Sequence, residues 1–183
     1  MSEKQVIRHC APTLAGLKTG SLFSCTVTSG EALYCEIGRL NRMLSPKGLC
    51  LVVLQFDGKR ALIYLYRKTQ LRRDLCDGVT RVLLGTLQYP LEDAERCVGK
   101  LAERVKGSAE FPHEIGLFLG YPPVDVLGFI LMGPRRCKSV GCWKVYGDED
   151  AAKRRFLQYQ KCTAAYTALF ACGKSLERLT VTR

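Results

Sequence analysis

The chain has 183 residues, of which 47% are hydrophobic and 25% charged. That size and composition fit one globular domain spanning residues 1–183 and are too apolar for a disordered chain. Its apolar runs, such as Leu49 to Leu54, fall far short of the roughly 20 residues a membrane span needs, and the polar start Met1 to Cys10 lacks the apolar segment of a signal peptide.

These features place the protein in the cytoplasm with no membrane partner, as an expectation. Ten cysteines are scattered almost evenly, several inside apolar runs, as with Cys35 and Cys50. Free cysteine behaves there as a small hydrophobe, so a reducing compartment and no required disulfide are expected. The net charge of +11 invites an anionic partner, nucleic acid among them. The basic residues come in groups: Arg67-Lys68, Arg72-Arg73, Arg135-Arg136-Lys138 and Lys153-Arg154-Arg155. No recognised nucleic-acid-binding motif accompanies them.

In chain order, residues 3–10 suit a short helix that stops before Pro12. The Gly-, Ser- and Thr-rich stretch 11–29 suits an ordered loop. Ser29 can cap a helix in which Leu33, Ile37, Leu40 and Leu44 recur at helical spacing, and Ser45-Pro46-Lys47-Gly48 ends it. The runs 49–56 and 61–67 flank Asp57-Gly58 and predict an antiparallel hairpin; its first strand is apolar enough to be covered on both faces. A helical stretch over 68–86 is interrupted near Cys76-Asp77-Gly78. Leu91, Ala94, Val98, Leu101 and Val105 form the apolar stripe of another helix, entered at Tyr89-Pro90 and closed by Gly107. Pro112 and Pro123 each start a short helix, with Gly120 between them. Residues 142–146 suit a third strand, and Asp148 caps a C-terminal helix that buries Ala152, Phe156, Tyr159, Thr163, Tyr166 and Phe170. The expected fold is α+β: a small antiparallel sheet of about three strands (49–56, 61–67, 142–146) covered by five to seven helices.

The segments Cys10 to Lys18, Phe111 to Pro122 (FPHEIGLFLGYP), Cys142 to Asp148 and Leu176 to Val181 together resemble an uncharacterised bacterial family, catalogued as domain of unknown function 3793. The resemblance covers essentially the whole chain and implies a stand-alone cytoplasmic protein of about this length. It implies no activity.

Candidate chemistry gathers in the same segments. His113 and Glu114 fall in the first turn of a short helix, where the dipole favours neutral imidazole and a carboxylate. Cys10 could be a nucleophile with His113 as its base; His9 is adjacent in sequence but cannot face it on a helix. Lys18-Thr19-Gly20-Ser21 offers an amine, hydroxyls and pliable backbone for an anion, without the P-loop pattern. Cys137 and Cys142 are a C-x4-C pair that lacks the further ligands of a zinc or iron–sulfur site, so no metal is assigned. No motif identifies a cofactor. The candidate pocket comprises Cys10, Lys18, Ser21, His113, Glu114, Tyr121, Cys142 and Trp143. Its leading use is binding an anionic small ligand, a cofactor or a partner protein. The alternatives are an enzyme built on His113 with Cys10 or Cys142, and nonspecific nucleic-acid binding through the basic groups.

Overall fold

The computed structural model describes residues 1–107 and 110–182. It is α+β. A three-stranded antiparallel sheet is formed by β1 (Gly20–Thr26), β2 (Leu49–Phe56) and β3 (Arg60–Arg67) in the order β1-β3-β2. The hairpin register pairs Leu49 with Arg67 and Leu51 with Leu65, and a bulge lies between Val53 and Gln55. Gly58 adopts φ +92° in its turn, a backbone that an L side chain rarely accepts.

Apolar residues face both sides of this sheet. One face carries Leu51, Ile63, Leu65, Phe23 and Cys25. They pack against α1 (Glu3–Leu14), α2 (Gly30–Leu44) and α9 (Leu176–Leu179), with Tyr166 and Phe170 of α8 (Glu149–Ala171) at the margin. The other face carries Leu54, Tyr64 and Tyr66. They pack against α3 (Lys68–Leu75), α4 (Gly78–Thr86), α5 (Ala94–Gly107), α6 (Ile115–Phe118) and α7 (Pro123–Met132). The edge of β2 is sealed by a side chain: Asn41 of α2 accepts from Leu51 N and donates to Leu51 O, both at 2.8 Å, as a neighbouring strand would.

Most sequence-predicted helices form where the caps and stripes put them. However, α5 begins at Ala94 rather than at Tyr89-Pro90, because Asp93 accepts from Glu95 N and Arg96 N and caps it there. Likewise α6 begins at Ile115 rather than at Pro112, so His113 and Glu114 precede it. Ser29, Asp77 and Asp148 each accept a backbone N–H at the start of their helices. The apolar stripes of α2 and α5 are buried, and Cys97 joins the second. Three further features differ. Helix α1 runs through Pro12 to Leu14. Proline's fixed φ is helical, so the helix loses one hydrogen bond there while Val6, Ile7, Cys10 and Leu14 stay on its buried face. Its last carbonyls are taken by Arg67, which is 2% exposed and donates from Nε to Thr13 O and from Nη2 to Leu14 O, both at 2.6 Å.

Second, residues 20–26 form the third strand of the sheet, inside a stretch that composition assigns to a loop. Third, the predicted 142–146 strand contributes only β5 (Lys144–Val145), which pairs with β4 (Ser139–Val140) in a separate two-stranded sheet. Val145 packs instead with Trp143, Ala152, Phe156 and Tyr159 in a third apolar cluster beside α8. Tyr146 lies against α7, where a Cβ on Gly128 would come within 2.5 Å of the Tyr146 ring.

Candidate functional site

The loop that leaves α1 is fixed at both ends. Leu17 and Lys18 donate their N–H groups to Pro12 O, and Thr19 O accepts from Arg67 N at 2.9 Å. Gly120, at φ +73°, brings the turn between α6 and α7 against this loop: a Cβ there would lie 2.7 Å from Thr19 Oγ1. Between the loop, α3, the start of α4, the α6–α7 turn and α8 lies a cleft of about 900 Å³.

The cleft walls are polar. Lys18, Thr19, Gln70, Arg73, Asp74, Asp77, Tyr121, Arg155 and Tyr159 reach it from five segments of the chain. Its carboxylates are already committed. Asp74 accepts from Thr19 Oγ1 and pairs with Arg73 at 3.4 Å, and Asp77 caps α4 through Thr80 N at 3.0 Å. Its cations are less so. The side chains of Lys18 and Arg155 have neither a carboxylate nor a hydrogen-bond partner among the described residues. Lys18 Nζ sits 5.1 Å from the centroid of the Tyr121 ring, a cation–π contact, and that ring stacks on Trp143 at 4.9 Å. Burial pulls the Lys18 amine below its ordinary value. The amide oxygen of Gln70 is buried without a partner, while its nitrogen donates to Gly16 O at 2.9 Å.

The predicted pocket residues divide among four places. Lys18 and Tyr121 line the cleft. Lys18 also lines, with Ser21 and Cys142, an adjoining groove between α1 and α8. His113 and Trp143 line a smaller apolar cavity of about 200 Å³, whose one residue in common with the cleft is Tyr121. There His113 is exposed and packs edge-on against Phe129 at 4.7 Å. Glu114 turns the other way. It is 3% exposed, accepts from Tyr89 Oη at 3.0 Å and pairs with Arg104 of α5. Cys10 lies wholly in the core below Lys18, where burial pushes its thiol up to about 12. Cys142 is exposed, and partial burial still raises its thiol despite Lys18 nearby. The chain therefore places Lys18, Ser21, Tyr121 and Cys142 along the cleft and groove, links Trp143 to them through its stack on Tyr121 while Trp143 and His113 share the smaller cavity, and leaves Cys10 and Glu114 inside.

The basic groups are also split up. Arg67 is interior, Lys68 pairs with Glu95 and Lys153 with Glu149, both at 2.8 Å, and Arg155 faces the cleft. Gln70 and Tyr159 carry no sequence signal that marks them for the site, whereas Arg73 and Arg155 were visible as members of basic groups. Among the described residues no group of three His, Cys, Asp or Glu side chains could hold a metal ion, and no helix is long and apolar enough to cross a membrane.

No curated protein and no solved structure matches the chain. A family model described as a protein of unknown function, DUF3793, matches residues 6–180, which carry α2 to α9, the sheet and every wall of the cleft; the chain belongs to that family.

Proposed function

We propose that this protein is a binding protein for a small anionic ligand, held in the cleft between the 16–19 loop, α3, the α6–α7 turn and α8. The observation that carries this reading is Lys18. Its ammonium is half-buried at the meeting of two cavities, has no carboxylate partner, and is held below its ordinary value by the partial loss of water, so a bound anion would supply the missing charge. Arg155 offers a second uncommitted cation at the rim. Arg73 is a third, though shared with Asp74. Tyr121 and Tyr159 offer aromatic surface. The volume, about 900 Å³, lies within the range of small-molecule and cofactor sites. We place this binding in a reducing cytoplasm, with the buried cysteines serving as small core residues.

The thiols support a binding role over covalent catalysis. Each cysteine whose thiol is displaced among the described residues, Cys10, Cys25, Cys97, Cys142 and Cys162, is displaced upward by burial, away from the reactive thiolate. Native mass spectrometry of gently purified protein tests the reading. A small adduct is expected on the wild type and is expected to be lost in Lys18→Met. An adduct retained by the variant would place the ligand elsewhere.

A further inference from the structure

The cleft is continuous in its lining with the groove between α1 and α8, and the two share Lys18 and Tyr159. Their chemistry is opposite. The cleft presents arginines, carboxylates and amides. The groove, of about 750 Å³, presents Pro12 on one bank and Thr163, Ala164, Thr167 and Ala171 on the other. Those α8 residues follow the three- and four-residue spacing of one helix face. Their small side chains leave the trough open. From Tyr159 to Ala171 this face runs about 18 Å along the helix. Lys18 is the one Lys, Arg, Asp or Glu lining the groove among the described residues. His9 at its border stacks on Phe23 at 5.2 Å, and burial holds its imidazole below its usual value, toward the uncharged form.

We propose that the ligand is an anionic amphiphile: its charged head is held at Lys18 and its alkyl or acyl chain lies along the groove between α1 and α8. This rests on the anion-binding reading and narrows it. An unpaired cation at the end of an apolar trough matches a carboxylate or phosphate carrying a hydrocarbon tail. A compact polar anion would use the cleft and leave the groove in water.

Isothermal titration of the full chain with acetate, hexanoate and decanoate, and separately with inorganic phosphate, tests the inference. Affinity is expected to rise along the carboxylate series by about two- to fourfold per added methylene, the range for partial to full burial of each CH₂. Ala168 is exposed on the groove bank, so Ala168→Trp fills the trough without disturbing the core. It is expected to weaken decanoate at least tenfold and leave hexanoate less affected, with an unchanged circular dichroism spectrum. Lys18→Met is expected to weaken the whole series. Decanoate binding no tighter than acetate, or phosphate binding with no carboxylate binding, would overturn the amphiphile and leave the anion site standing. Decanoate binding unchanged in Lys18→Met would overturn both.

Discussion

Lys18 and Glu114 are the two charged residues that burial separates most clearly into different roles. Glu114 lies inside with its charge met by Arg104 and a hydrogen bond from Tyr89. Arg104→Ala would leave that carboxylate buried and uncompensated, so urea unfolding should show a loss of about 3 kcal/mol. His113→Ala, one residue away in sequence from Glu114 but exposed on a separate cavity, should change stability by less than about 0.5 kcal/mol. The two residues look alike in the sequence, where both fall at the start of a short helix. Which of them faces α5 is decided by a partner ten residues upstream of Glu114, and helical spacing does not reveal it. Cys10 provides a pH test. Its thiol is raised from 9.0 to about 12 in the folded chain. The unfolded chain therefore loses this proton first, and stability is complete below pH 9 and falls as pH rises above it. By about pH 10.5 the loss is about 2 kcal/mol at 1.36 kcal/mol per unit. Cys10→Ala should flatten the alkaline decline by that amount; an identical slope in the variant would contradict the buried thiol.

At the scale of elements, the positions that frame the cleft are set by close contacts. Gly128 of α7 lies against Tyr146 after β5, and Tyr146 Oη donates to Gly133 O at 2.7 Å. Alanine is the better helix former by about 1 kcal/mol, but its methyl group would collide with the tyrosine. Gly128→Ala should therefore lower thermal stability by about 1–3 kcal/mol, and a rise would show that this contact is looser than the structure has it. The longer helices were legible where a periodic stripe goes with a cap, as in α2 with Ser29 and Leu33, Ile37, Leu40 and Leu44. The hairpin was legible because Asp57-Gly58 sits between two apolar runs. Strand β1 was not. Gly20, Ser21, Ser24 and Thr26 give it the composition of a loop, and its pairing with β3 supplies the order that local sequence does not. Ser21 is buried there because Thr13 of α1 shares a hydrogen bond with it at 2.8 Å. Pro12 misleads for the same reason, since tertiary packing and Arg67 hold the last turn of α1.

Across the whole molecule, the sheet divides two apolar cores, and the proposed site lies where the loop after α1, the helices of the second core and α8 meet. That junction draws residues from positions 16 to 159, so the sequence marked its members by type, Lys18 and Tyr121 among them, without showing the junction. Trp143 is the chain's one tryptophan, and its indole donates to Asp125 at 2.7 Å while stacking on the ring that carries Lys18. Charge arriving at Lys18 is thus one ring away from a native fluorophore. The most direct test of the anion-binding claim is a titration of Trp143 emission with phosphate, citrate and decanoate, in the wild type and in Lys18→Met. A saturable change with at least one of these anions is expected in the wild type, and none in the variant. The absence of any saturable change in the wild type, or an equal change in both proteins, would contradict it.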